Sequence, residues 1–238
     1  MKIIVTNDDG IDADGINVLA KVAAEFGEVT FVAPKNHQSG CSHQMTFQGH
    51  LQAGQRDDGR WWVDGFPADC TRIGIAELCP DADVVLSGVN HGSNLGLDNF
   101  LSGTVAAARE ATFFGLPSIA FSQFHKGITD SVWVAAEVLV RRTLKKLLND
   151  QLKNGHYWNI NFPVVGDVDP ETIEFAERSL CLSPLPNSYV RNENGFEYVG
   201  DYHAREKTEG SDVQACHMGY ISMTEMRTGN LERISFKD

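Results

Sequence analysis

Asn7-Asp8-Asp9-Gly10 puts two adjacent carboxylates directly after a short apolar, β-branched run, Lys2 to Thr6. Neighbouring carboxylates repel each other, and a bound cation is the usual compensation. Successive side chains of a strand face opposite ways, so both can reach one ion only where the strand has given way to a turn. Gly10 permits that turn. A helix-capping, solvent-facing acidic turn is the competing reading of the same residues. Ser39, in Pro34-Lys-Asn-His-Gln-Ser-Gly40, follows a second apolar run and offers a hydroxyl. Asn90, in Ser87-Gly-Val-Asn90, follows a third and offers an amide oxygen. Two carboxylates, a hydroxyl and a side-chain carbonyl make an all-oxygen shell suited to Mg²⁺, Mn²⁺ or Ca²⁺ rather than structural zinc. Ser39 and Asn90 also read as ordinary turn residues.

Further along, Ser102-Gly103-Thr104 opens an alanine-rich stretch. Free N–H groups at a helix start, the helix dipole and two hydroxyls make a ready anion site, although Ser or Thr there is equally an ordinary N-cap. His91 beside Asn90 is either a general acid or a loop residue. Several motifs are missing. There is no G-x-G-x-x-G for dinucleotides, no P-loop, no H-E-x-x-H and no G-x-S-x-G elbow.

These candidates need a frame that brings three strand ends together. Lys2 to Thr6, a helical repeat from Ile16 to Phe26 stopped by Gly27, and Val29 to Ala33 closed by Pro34 read as a β-α-β start with parallel strands. The rhythm resumes with a strand at 83–87, a helix at 104–114, a strand at 118–122, a helix at 130–148 capped by Asp130 or Ser131, and a strand at 157–162. Ligands of such sheets sit beyond the carboxyl ends of the strands. Between 36 and 79 the alternation breaks, and a loop-rich or hairpin insertion is expected. After about residue 164 it is lost again: 179–200 reads as an extended hairpin or arm, and 219–224 as one more strand. The expectation is an α/β fold with a mostly parallel sheet, a core at 1–163, and an arm and closing strand at 164–238.

Of the 238 residues, 42% are apolar and 22% charged, which suits a packed core. The formal net charge of -12 argues against long nucleic acid as a partner. No apolar run is long enough to span a bilayer, the first residues form no signal peptide, and five scattered cysteines suit a reducing compartment, so a cytoplasmic protein is expected.

Taken in order, these motifs resemble the SurE family of stationary-phase survival proteins, which act as 5′/3′-nucleotidases. The likeness runs through Ile4-Val-Thr-Asn-Asp-Asp-Gly10, Gly15, Val32-Ala-Pro34, Ser39-Gly40 and Pro67-Ala-Asp-Cys70. It continues through Ser87-Gly-Val-Asn90, Asn94-Leu-Gly96, Ser102-Gly-Thr-Val-Ala-Ala-Ala108 and Asn159-Ile-Asn-Phe-Pro163. A fainter echo lies at 219–224, where Met223-Thr224-Glu225-Met226 lacks the proline of the family's ending. The resemblance implies a Rossmann-like three-layer α/β/α fold and release of phosphate from nucleoside 5′- or 3′-monophosphates. It implies one divalent metal ion per subunit on Asp8, Asp9, Ser39 and Asn90, with Asp8 and Asp9 as the catalytic pair, and phosphate contacts from Asn94, Ser102, Gly103 and Thr104. It also implies homodimers or homotetramers formed through C-terminal arms. Two rivals stand beside it: a non-catalytic nucleotide- or phosphate-binding module, and a serine hydrolase using Ser39 with His37 or His43.

Overall fold

The computed structural model describes residues 1–125, 130–149 and 152–229. A nine-stranded sheet runs in the order β3-β4-β2-β1-β5-β6-β7-β11-β8. Its strands are β1 (Lys2–Thr6), β2 (Glu28–Pro34), β3 (Ala53–Gln55), β4 (Trp61–Val63), β5 (Val84–His91), β6 (Ser118–Gln123), β7 (His156–Phe162), β8 (Phe175–Glu177) and, at the C-terminal end of the chain, β11 (Ile221–Arg227). Pairing is parallel throughout, except that β3 runs against β4 and β11 against β7. The mostly parallel sheet with helices on it is the α/β class expected.

Helices α1 (Asp14–Ala23) and α5 (Asp130–Leu147) pack on one face, and α2 (Pro67–Ile73) and α4 (Gly103–Phe113) on the other. Ile16, Leu19 and Val22 recur at helical spacing and are wholly buried against Ile3, Val5 and Leu86 of the sheet. Each such side chain contributes roughly 1.5–3 kcal/mol. On the other face Ile4, Val32 and Val85 meet Cys70, Ile75 and Ala111. The central strands are therefore apolar on both sides, the signature of a buried parallel sheet.

β1 connects to β2 on one side, and the chain then returns to β5 on the other. Where strand order reverses in this way, the loops diverge and leave a crevice at the carboxyl ends. Asp8 and Asp9 leave β1 at that point, and Asn90 lies near the end of β5.

Several elements differ from expectation. α1 starts at Asp14 and ends at Ala23, and residues 25 and 26 close in tighter i→i+3 turns (Glu25 N–H to Val22 O, 3.0 Å; Phe26 N–H to Ala23 O, 2.9 Å). β5 continues past Gly88 to His91. Its register with β6 shifts between Ser87 and Asn90, and a Cβ on Gly88 would lie 2.3 Å from the Phe121 carbonyl oxygen. That glycine marks a close backbone approach rather than a strand end. The irregular 36–79 region holds the β3–β4 hairpin, but also α2 and a π-helical turn at Gly74–Leu78. α2 is opened by Pro67 and by the Asp69 carboxylate, which accepts the Phe66 N–H at 3.0 Å. A four-residue helix, α3 (Asp98–Leu101), precedes α4. A separate hairpin, β9 (Tyr189–Asn192) with β10 (Gly195–Tyr198), occupies the arm region. α6 (Asp212–His217) leads into β11. The proposed cap at Asp130 and the last residues of the arm, 230–238, lie outside the described side chains and residues.

Candidate functional site

Asp8 is 2% exposed and enclosed by the start of α4. The Thr104 hydroxyl donates to Asp8 Oδ1. Gly103 lets the helix come this near: a Cβ there would sit 2.9 Å from Asp8 Cβ, 3.0 Å from its Oδ2 and 2.8 Å from Cys41 Sγ. The Asp8 carbonyl accepts the Gln38 N–H at 2.7 Å, tying the loop after β2 to the end of β1. Asp9 reaches the other way. Its Oδ2 accepts the His91 N–H at 3.0 Å, and its Oδ1 lies 3.6 Å from His37 Nδ1. The acidic pair thus links three strand ends and one helix start.

Burial, and after it the charge of Asp9, push the Asp8 carboxyl up to about 6, against the opposing hydrogen bonds from Thr104. A carboxylate raised by desolvation and a like charge is an unsatisfied anion, and a cation between the two would relieve it. No group of three or more His, Cys, Asp or Glu gathers among the described residues. A cation here would rest on two carboxylates and neutral oxygens. Asn90 donates through Nδ2 to the Gly92 carbonyl at 2.8 Å, which orients its amide and leaves the oxygen as acceptor. Ser39 is exposed in the turn after β2, its hydroxyl uncommitted among the described residues. The residues present suit a hard, oxygen-liking divalent ion.

The start of α4 has donors to offer. Ser102 Oγ accepts the Val105 N–H at 3.1 Å as an N-cap, which leaves the hydroxyl proton free. Thr104 differs, because its hydroxyl proton is committed to Asp8. With Asp8 as a cation ligand, the expected result of replacing Thr104 with Val is divalent-metal binding weakened roughly 10–100-fold, the usual cost of losing a ligand's supporting hydrogen bond. Calorimetric titration with Mn²⁺ reads this, and wild-type affinity would remove Thr104 from the supporting role.

Asn94 is held more firmly than its sequence context suggested. Its N–H donates to Asn161 Oδ1 at 2.7 Å, and its side chain to Ser122 Oγ at 2.8 Å. Its carbonyl accepts from Asn159 at 2.8 Å and Asn161 at 3.2 Å. Asn159 and Asn161 lie two apart on β7 and so share a face. That spacing was the available signal for a polar anchor under the loop. C-terminal residues brace the same loop. Arg205 pairs with Asp98 at 2.6 Å and donates to the Leu95 carbonyl at 3.0 Å, while Asp212 accepts the Gly96 N–H at 2.7 Å. Nothing in the spacing of residues 205 and 212 pointed to this.

The geometry also weighs on the serine-hydrolase rival. Both ring nitrogens of His43 are occupied, by Glu110 at 2.8 Å and Arg109 at 2.9 Å, and neither His37 nor His43 bonds Ser39 among the described residues. Burial pushes the Cys41 thiol up to about 11, with the charge of Asp8 adding to it, which disfavours the thiolate.

Comparison with known proteins shows the fold and the family. The family model described as Survival protein SurE matches residues 3–181. A relative from Nostoc sp., provisionally named a 5′-nucleotidase, is 42% identical over 95% of this chain and all of its own length. The 5′-nucleotidase SurE of Neisseria meningitidis serogroup A is 36% identical over 95% of this chain and 92% of that protein. The crystal structure of the SurE protein from Aquifex aeolicus superposes with a TM-score of 0.85 at 30% identity, covering 97% of this chain and 95% of that one. A mostly parallel α/β sheet, in a chain matched over nearly its whole length by these relatives, places the chain in the SurE family.

Proposed function

We propose that the protein is a phosphomonoesterase that releases phosphate from nucleoside 5′-monophosphates, with 3′-monophosphates as a second substrate class. The observation that supports the reading is the junction of buried Asp8 with the opening of α4, where a carboxylate stands beside the Thr104 hydroxyl and the first turn of a helix. Relatives named 5′-nucleotidase SurE, at 36% identity, supply the substrate class.

Asp8, Asp9, Ser39 and Asn90 would hold one divalent ion (Mg²⁺, Mn²⁺ or Ca²⁺). When bound, such an ion supplies charge neutralisation and Lewis acidity at a phosphoryl oxygen. The Ser102 hydroxyl, the Gly103 N–H and the Asn94 Nδ2 hydrogen not given to Ser122 would hold the remaining phosphate oxygens, where preorganised donors stabilise charge developing in the transition state. Asp8 is enclosed by α4, whereas Asp9 faces an open recess. That exposure supports Asp9 as the carboxylate that would orient the attacking water.

Inorganic phosphate release from nucleoside 5′- and 3′-monophosphates tests the reading. It should stop with EDTA and return with Mn²⁺ or Mg²⁺. Tight nucleotide binding without phosphate release would favour the non-catalytic module. Turnover that survives the chelator would remove the metal.

Exposed Tyr189, Val190, Phe196 and Tyr198 on the β9–β10 hairpin support assembly into a homodimer or homotetramer through this arm. Among the described residues no helix is long and apolar enough to cross a membrane. All five cysteines are free thiols, which supports a cytoplasmic location.

A further inference from the structure

Beside Asp9 the crevice opens into a recess of about 250 Å³, lined also by Asp14, Gly15, His91 and Trp133. Two of its features serve no part of the phosphate chemistry. The first is a ring wall. The His91 and Trp133 rings lie 6.4 Å apart between centroids at 30°, and His91 continues onto His125 at 4.6 Å. Trp133 is seated by packing: a Cβ on Gly15 would meet its Cη2 at 3.1 Å, and its Nε1 has no hydrogen-bond partner among the described residues. The second is Asp14, the first residue of α1. Its carboxylate is exposed and makes no ion pair or hydrogen bond among the described residues. A second recess, bounded by Ser93, Asp98, Phe124 and Tyr202, contains none of the phosphate-handling residues, and Asp98 there is committed to Arg205 and Tyr202.

We infer that the recess between Asp9, Asp14 and the His91–Trp133 ring pair is the nucleoside subsite, with the base against the rings and the ribose hydroxyls toward Asp14. The inference rests on the proposal that Asp8 and Asp9 handle the phosphate, and it adds what selects the rest of the substrate. Every nucleobase has a π-face, so stacking on aromatic rings holds bases with little regard to sequence or identity. An ionised carboxylate only accepts hydrogen bonds. The vicinal ribose diol brings two O–H donors to it, whereas a second phosphate at that place would be repelled. The recess therefore favours ribonucleoside monophosphates over bare sugar phosphates, dideoxy analogues and nucleoside bisphosphates.

Two readouts separate this inference from the reading beneath it. The first compares kcat/KM for AMP with that for ribose 5-phosphate, which carries the same phosphate and sugar without a base. The wild type should prefer AMP by about tenfold or more, the range of one base–aromatic stack. Trp133→Leu should lose most of that preference. Trp133→Phe should keep it, since a ring face remains and Nε1 makes no hydrogen bond among the described residues. Asp14→Asn should narrow the preference for AMP over 2′,3′-dideoxy-AMP. Should Trp133→Leu fail to fold, the Trp133→Phe and Asp14→Asn ratios carry the test. A Trp133→Leu enzyme that keeps the wild-type ratio, or an Asp14→Asn enzyme that keeps full discrimination against the dideoxy analogue, overturns the subsite. The second readout is adenosine binding, followed calorimetrically without turnover. Binding by the wild type and its loss in Trp133→Leu supports the subsite even if no phosphate is released, a result that would sink the phosphatase reading instead. Phosphate release from both substrates at equal kcat/KM does the reverse.

Discussion

Asp8→Asn is expected to make the metal-free protein more stable at pH 8 while lowering phosphate release by about three orders of magnitude, the scale seen when a preorganised electrostatic group is removed from a reaction centre. The two effects have one cause. Burial and the neighbouring Asp9 raise the folded-state carboxyl of Asp8 from 3.8 to about 6. Below the unfolded value both states are protonated and the residue costs nothing. As pH rises from about 4 to about 6 the unfolded chain ionises first, so stability falls across that window. Above it the full penalty persists, at most about 3 kcal/mol for a shift of this size. Asparagine removes the charge and with it the penalty, although its new NH₂ must find a partner beside Gly103, which offsets part of the gain. Thermal unfolding of wild type and variant in EDTA, from pH 4 to pH 8, should show the two melting temperatures diverging only on the alkaline side. Adding Mn²⁺ should raise the wild type and leave the variant nearly unmoved, because ligand linkage follows affinity. Equal stability of the two proteins at pH 8 in EDTA would mean that Asp8 carries no such strain.

How much of this could be read from the residues depends on how far apart the interacting groups lie. The alternation that builds β1, α1 and β2 is written in neighbouring apolar positions, and Asp8 and Asp9 follow directly from where β1 stops. α2 escaped because its start rests on Asp69 taking the Phe66 N–H and on Thr46 reaching across from another loop (Thr46 N–H to Asp69 Oδ1, 2.9 Å), not on apolar spacing. Gly88 looked like a strand end because glycine usually punctuates. Here it lets β5 approach the Phe121 carbonyl, a contact no local pattern encodes. Thr104 stood at a helix start and read as a phosphate donor, but the spatial neighbour that takes its proton is Asp8, 96 positions earlier. The bracing of the 92–98 loop by Arg205 and Asp212 spans more than a hundred positions. Those residues look like ordinary surface charges in the sequence and become legible only once α6 has folded back.

Gly103→Ala is the most discriminating test of how α4 meets the acidic pair, because two physical effects predict opposite signs. At the first turn of a helix, alanine is ordinarily better than glycine by up to about 1 kcal/mol. The backbone of Gly103 lies outside the left-handed region, so no torsional penalty opposes the change. Packing does oppose it. The new methyl would stand 2.8 Å from Cys41 Sγ and 2.9 Å from Asp8 Cβ, both closer than carbon normally tolerates, and 3.0 Å from Asp8 Oδ2. Overpacking of this kind costs about 1–3 kcal/mol and exceeds the propensity gain. Relief by shifting α4 would draw Thr104 away from Asp8 and move the Ser102 hydroxyl and Gly103 N–H from the phosphate. Small misplacements of a reacting group cost about 10²-fold in rate. The expected result is a lower melting temperature together with a drop in kcat of that order. Adding Cys41→Ala separates the contacts. It removes the sulfur clash and should return much of the stability, while the contact with Asp8 remains and kcat stays low. A Gly103→Ala protein that is more stable than wild type and turns over nucleotide at the wild-type rate would show that α4 has room to spare beside Asp8, and that Gly103 is there for no reason of approach.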